Sequence, residues 1–269
     1  MQKKEFNIMR VIEETFEYSK DLSHSELETL KAYYFSYLKN GKYWLENNEL
    51  NYKEIYQLIK ELGNPKILDA GSGCGSESIT FGILGAEVLG VEIKKDRLDI
   101  VNKRKRLFSK KYDKEINVKF ELKNIFEVNG KFDIIWLNQA FHHMEPRKKI
   151  IEKLDSLLKI NGYIIFGEAN GWHPLVQAGL FKARGFKTIV NLELENGTTI
   201  PYGNERITTS KNIKKLFKEY KFTSISNRNY QPLPNNKKFS KISGFIEKLY
   251  LPSFAFSKYL LVLRKNTYN

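Results

Sequence analysis

Cysteine appears once in these 269 residues, as Cys74. A single thiol excludes an internal disulfide and any metal cage built from cysteines. Long apolar runs are missing too: none approaches the ~18–20 residues that a membrane-spanning helix needs. The opening Met1-Gln2-Lys3-Lys4-Glu5 leads into a mixed charged segment without the apolar region of a secretory leader. There is no internal repeat and no low-complexity linker, so independently folded domains are not expected. These absences imply a soluble, cytoplasmic protein. Acidic residues are in deficit, with 45 Lys and Arg against 31 Asp and Glu, a formal net charge of +14. Such an excess reads first as a solvated basic surface, with RNA or an acidic membrane surface as the partners that would use it. The apolar share of 41% suffices for a sizeable core.

The most informative residues are Lys66-Ile67-Leu68-Asp69-Ala70-Gly71-Ser72-Gly73-Cys74-Gly75. An apolar strand ends in a carboxylate and runs into three glycines at alternate positions. A helix-like stretch, Ser76 to Leu84, follows, and then a second apolar strand, Ala86 to Val91, which ends in Glu92. Glycines leave a backbone against which a flat ligand can lie. An acid at the tip of the next strand can hold the two hydroxyls of a ribose. The spacing therefore predicts a nucleoside site at the carboxyl ends of parallel strands. Glu92 follows Gly71 by 21 residues, which suits a dinucleotide, but Ser76 stands where the dinucleotide fingerprint has its third glycine.

The run D-x-G-x-G-x-G beginning at Asp69 resembles motif I of class I S-adenosylmethionine-dependent methyltransferases. Later segments carry the likeness further. Val118 to Leu122 reads as a third strand, followed by Asn124-Ile125, and Phe132 to Leu137 as a fourth. The fourth runs into Asn138-Gln139-Ala140-Phe141-His142-His143, an N-x-x-x-H-H ending similar to motif IV of the small-molecule, quinone-type branch of that family. Pro146 opens a helix to about Lys159, Asn161-Gly162 breaks it, and Tyr163 to Gly167 forms a fifth strand. The likeness is good over about residues 60–170 and extends to a last strand, Tyr259 to Arg264.

The resemblance implies a doubly wound α/β sheet of seven mostly parallel strands, Rossmann-like, with the last strand antiparallel. It implies S-adenosyl-L-methionine as cofactor and a small or lipid-like organic molecule as methyl acceptor. By motif position, Asp69 approaches the methionine ammonium and Gly71, Ser72, Gly73, Cys74 and Gly75 form the loop beneath the cofactor. Glu92, with Ile93 beside it, takes the ribose diol; Asn124 and Ile125 flank the adenine; Asn138 and Gln139 close the methionine side. His142 and His143 lie nearest the reacting methyl, where an imidazole of ordinary pKa, about 6.5, accepts a proton at neutral pH. The competing reading makes them structural histidines that orient their loop. Glu168, at the end of strand five, and His173 are further candidates to bind the acceptor or serve as base. A metal held by His142, His143, Glu168 and His173 is chemically conceivable, but motif position already accounts for the pair, so none is expected.

The rest of the chain divides around this core. Residues 1–62 read as an N-terminal helical cap, with helices over 1–20, from Ser23 or Ser25 to about Lys39, and over Tyr52 to Leu62; Ser25-x-x-Glu28 would cap the second. Tyr33, Tyr34, Tyr37 and Trp44 are candidates for an acceptor-pocket wall, or simply for core packing at helical spacing. Residues 63–170 are the cofactor-binding core. Residues 171–208 read as an inserted substrate cap, with a helix over Leu175 to Ala183 and a hairpin about Asn196-Gly197. Residues 209–269 complete the sheet and include a basic amphipathic helix that groups Phe239, Ile242, Phe245, Ile246 and Leu249, suited to covering a sheet or touching a membrane. The densest cationic cluster, Lys94 to Lys114, carries ten Lys or Arg against three Asp. It falls on the helix after strand two, which the resemblance makes an outer, solvated helix away from the ligand end. The alternatives are a nicotinamide oxidoreductase and an RNA-directed methyltransferase or binding protein. Ser76 and the His pair oppose the first. No D/N-P-P-Y/F run follows strand four, and Cys74 sits in the cofactor loop, so two common routes of nucleobase methylation are disfavoured.

Overall fold

The structure is a computed structural model that describes residues 7–17, 19–40, 42–233, 242, 245–246 and 249–267, with backbone alone for 19, 40 and 42–51. Phe239, the Trp44 side chain and most of the expected amphipathic helix between Phe239 and Leu249 lie outside the described part.

Seven strands form one sheet. They are β1 (Lys66–Ala70), β2 (Glu87–Glu92), β3 (Val118–Leu122), β4 (Phe132–Asn138), β5 (Leu158–Ala169), β8 (Phe222–Tyr230) and β9 (Lys258–Lys265), in the order β3-β2-β1-β4-β5-β9-β8. Strands β1 to β5 pair in parallel, while β9 is antiparallel to both neighbours. This is the expected doubly wound, Rossmann-like architecture. The central strands are apolar on both faces because helices cover both sides. Alternate residues turn opposite ways: Ile67, Ile134, Trp136 and Val262 enter one core cluster, and Leu68, Ile135, Leu137 and Leu261 the other. Order reverses between β1 and β4, and a crevice opens at that point beyond the carboxyl ends of the strands.

Local chemistry explains where the elements begin and end. Helix α2 (His24–Tyr33) starts at Ser23, whose side chain accepts from Glu26 N while Glu26 accepts from Ser23 N. The capping pair is thus Ser23 and Glu26, in place of the expected Ser25 and Glu28. Helix α1 (Ile8–Glu17) precedes it, and α3 (Phe35–Asn40) and α4 (Lys42–Leu62) follow, so the third expected helix is ten residues longer than its periodicity suggested. Helix α7 (Arg147–Leu157) ends earlier and β5 begins earlier than expected, with Asn161 at φ +64° inside the strand. Asn161-Gly162 therefore bends a strand, where the sequence reading had it stop a helix; the pairing of β4 with β5 slips there. The inserted segment holds α8 (Pro174–Arg184) and a separate hairpin of β6 (Ile189–Glu193) and β7 (Thr199–Gly203). Helix α5 (Ser76–Ile83) follows the glycines, and α9 (Ser210–Leu216) leads to β8. Among the described residues no helix is long and apolar enough to cross a membrane.

Helix α6 (Lys95–Lys111) corrects the expectation of a purely solvated basic face. Arg104 is only 1% exposed. Its guanidinium donates to the Cys74 carbonyl, to Ser76 Oγ at 2.8 Å, to Thr15 Oγ1 at 2.9 Å and to the Tyr34 hydroxyl at 3.2 Å. One buried cation thus ties α1 and α2 to the glycine loop. Arg104→Leu should cost about 2–4 kcal/mol of stability, since several buried acceptors lose a charged donor at once. Urea denaturation measures this directly; a loss under about 0.5 kcal/mol, the range of ordinary surface changes, would contradict it.

Candidate active site

The loop after β1 turns through Gly71, Gly73 and Gly75, at φ +85°, +55° and +78°. Tight packing also demands glycine here: a Cβ on Gly71 would stand 2.8 Å from the Ala140 Cβ, and one on Gly73 would collide with the Tyr33 phenol. Above this loop lies a cavity of ≈ 510 Å³, within the usual size of small-molecule sites. The strand order lays out its floor. Asn124 and Ile125 follow β3, Glu92 and Ile93 end β2, Gly71 follows β1, and Asn138, Gln139, His142 and His143 follow β4; all border the cavity.

Glu92 is buried and accepts from Gly73 N at 3.0 Å, Ile93 N at 2.8 Å and Lys94 N at 3.1 Å. Arg97 Nη1 lies 3.1 Å from its Oε2 and the same guanidinium covers the Tyr33 ring at 5.2 Å. The N-terminal end of α6 therefore reaches the ligand end of the sheet, contrary to the expectation that this helix stays away from it. Asn138 Nδ2 donates to Glu77 Oε1 at 2.9 Å and to the Tyr52 hydroxyl at 3.2 Å. Asn124 caps the short 3-10 turn Ile125–Glu127 by accepting from Phe126 N.

Asp69, Ser72, Gly73, Cys74 and Gly75 do not border the cavity. Asp69 is turned into the protein, 3% exposed, and accepts from Ser78 Oγ at 2.6 Å. Burial, with Glu77 and Glu92 nearby, pushes its carboxyl up to about 8. Glu77 faces the cavity in its place, one residue beyond Ser76. Cys74 is buried against its surroundings and its thiol is pushed up to about 11, chiefly by burial, so it is inert.

At the β4 end, Glu168 is also removed from the cavity, which corrects its expected place beside the acceptor. It is 2% exposed and accepts from Ala140 N at 3.0 Å, Phe141 N at 2.8 Å and His142 Nδ1 at 2.6 Å. Both backbone donors go to Oε1, and Oε2 is left to face Nδ1 of His142. His143 Nδ1 lies 2.8 Å from the Gly203 carbonyl, which can only accept, and its ring stacks on Tyr202 at 4.7 Å between centroids. Burial opposes charge on His142 but the adjoining Glu168 outweighs it and raises its pKa. Burial lowers that of His143, helped by the neighbouring His142. His173 is not part of this group: its Nδ1 accepts from Val176 N at 3.3 Å and caps α8.

The inserted hairpin closes one side. Ile200, Pro201 and Tyr202 of β7 and then Glu205 border the cavity. Glu205 adopts φ +51° just past β7 and brings Oε2 to 3.6 Å from His142 Nε2 and Oε1 to 3.7 Å from His143 Nε2. Glu205, Glu77, Arg97 and Lys258 were not legible as site residues: each lies outside the motifs and reaches the cavity through tertiary packing. Tyr33 and Tyr34 border it too, whereas Tyr37 packs against the core.

A family model for a methyltransferase domain matches residues 62–225. The chain is 27% identical over 127 residues to a ubiquinone biosynthesis O-methyltransferase of Pelagibacter ubique, covering 47% of this chain and 51% of that protein. It is 30% identical over 130 residues to one of Pasteurella multocida, covering 46% and 54%. It therefore spans about half the length of these relatives. The crystal structure of a SAM-dependent methyltransferase from Methanosarcina mazei superposes with a TM-score of 0.57 at 17% identity, covering 80% of this chain and 98% of that one, a likeness of fold.

The buried Asp69 carboxyl makes a pH test possible. Its raised pKa means the folded protein holds a proton that the unfolded chain has released at an ordinary carboxylate pKa, about 3.9. That contribution to stability is present in acid and is lost as pH rises through about 8. The melting temperature of the wild type relative to Asp69→Asn should fall as pH rises from about 4 to about 8 and level off above that. A constant difference would show that Asp69 ionises without penalty.

Proposed function

The chain belongs to the methyltransferase domain family, and from that premise we propose that it transfers a methyl group from S-adenosyl-L-methionine to a small organic acceptor. The observation that carries this reading is the cavity itself: a buried carboxylate at the tip of β2, a glycine turn after β1 and a His pair after β4 border one space. The residues present fit the cofactor. Glu92 offers its carboxylate to a ribose diol, and Ile125 with Asn124 gives an apolar wall and an amide for an adenine. Gly71 leaves room for a close backbone approach, and Glu77 supplies an anion for an ammonium or sulfonium, a role the motif had suggested for Asp69.

When bound, the cofactor supplies an activated methyl on a cationic sulfur, so the protein's task is largely alignment. Asn138 and Gln139 hold the floor of the site at its centre. Gln139 does so by anchoring through Nε2 to the Gly167 carbonyl at 3.0 Å. His142 and His143 face the acceptor end, and we assign to them the loss of the acceptor's proton. Glu168 acts through His142 as a positioning residue. The segment 171–208 serves as the acceptor cap, supported by the contribution of β7 and Glu205 to the cavity wall. The ubiquinone-type relatives and the half-apolar wall together support a hydroxylated ring as acceptor.

Binding of S-adenosyl-L-methionine and of its demethylated product should raise the melting temperature, and NADH should not. Response to NADH alone would overturn the reading. Glu92→Ala should weaken cofactor binding by ~1–3 kcal/mol through lost charge-assisted hydrogen bonds. Calorimetric affinity equal to the wild type would remove Glu92 from the site.

A further inference from the structure

We infer that His142, His143 and Glu205 form a binding site for one divalent transition-metal ion, of the zinc or iron type, at the acceptor end of the cavity. Each of the three residues brings one ligand atom to within 4.8 Å of the other two, and Glu205 faces Nε2 of His142 with Oε2 and Nε2 of His143 with Oε1. The nearest approaches between imidazole and carboxylate, 3.6 and 3.7 Å, are too long for hydrogen bonds. They are close to the spacing that an ion imposes. Ligand atoms bonded at ~2.0–2.1 Å around a tetrahedral centre stand about 3.4 Å apart.

The groups behind these ligands strengthen the inference. A metal-binding imidazole needs its second nitrogen held by an acceptor, which fixes the tautomer and aims the lone pair. Both histidines have one: Glu168 Oε2 at 2.6 Å from His142 Nδ1, and the Gly203 carbonyl at 2.8 Å from His143 Nδ1. Each ring thus turns its Nε2 toward Glu205. Two imidazoles and one carboxylate are a donor set that zinc and iron favour, and three protein ligands leave a position open. All three residues border the cavity, so that position faces the acceptor.

The consequence deepens the proposed function and rests on it for the acceptor's identity alone. An acceptor hydroxyl oxygen taking the open position becomes more acidic beside the cation and releases its proton to solvent. The His pair then promotes proton loss as ligands, without either ring serving as a lone base.

The test uses the full chain without an affinity tag, stripped with a chelator and titrated with Co²⁺ and Zn²⁺. We expect one ion per chain after gel filtration, by elemental analysis, and the intense visible bands of low-coordinate Co²⁺. His143→Ala and Glu205→Gln should each weaken binding at least ~10-fold, and Glu168→Gln, acting on ligand orientation, by ~10–100-fold. The exposed His24, changed to Ala, should leave binding as it is. Glu205 is 45% exposed at its side chain, so its variant tests the site without risking the core. No retained ion in the wild type, or equal affinity in Glu205→Gln, overturns the inference. A thermal shift with S-adenosyl-L-methionine on the stripped protein separates the two claims. Cofactor binding without ion binding defeats this inference alone, and ion binding without cofactor binding defeats the proposed function alone.

Discussion

A carboxylate at the end of β5 organises the turn after β4, on which the His pair stands. Glu168 receives two backbone amides and one imidazole from the turn after β4, and those three hydrogen bonds set the conformation of Ala140, Phe141 and His142 together. Burying an anion is costly unless donors surround it, and here every donor comes from the element it must position. The aim of the His142 ring, the location of His143 and the meeting with Glu205 all follow. Because β4 and β5 are parallel neighbours, their carboxyl ends lie side by side and the contact needs no long reach. Sheet topology thus becomes chemistry within a few ångströms.

Charge is distributed in layers. The chain is strongly basic as a whole, and the cavity sets four glutamates, Glu77, Glu92, Glu145 and Glu205, against Lys94, Arg97, Lys123 and Lys258. Two cations of α6 are drawn inward, Arg97 to Glu92 and Arg104 to the underside of the glycine loop. The same arrangement accounts for Asp69, which has two carboxylates as neighbours and is held neutral by burial.

What could be read in the chain beforehand followed from periodicity and glycine placement. The β1 strand, the glycine loop and Glu92 were visible because close backbone approach permits few residue types. The His pair was visible through the N-x-x-x-H-H run that follows the fourth strand and resembles motif IV of the family. Glu205 was hidden, since a single carboxylate in a hairpin tail carries no local signature and its role arises only when the insertion folds onto the turn after β4. The role of Glu168 was misjudged for a related reason. Both faces of a strand end look alike in one dimension, and only the pairing with β4 turns this side chain away from the cavity. Arg104 was similarly submerged in a cluster of cations that propensity treats alike. The long β5 was obscured by Asn161-Gly162, a pair that signals a turn and here supplies a bend within a strand.

Gly203 closes the hairpin with its backbone pressed against the backbone of His142 and His143; a Cβ there would strike the His142 carbonyl. Arg206 N donates to that same carbonyl at 3.2 Å, and Tyr202 bridges to Met144. The hairpin is therefore seated on the turn after β4 through main chain as well as through the stacking of Tyr202 on His143. Any side chain at position 203 would push the hairpin off the turn after β4, so the seat of the insertion rests on one bare methylene.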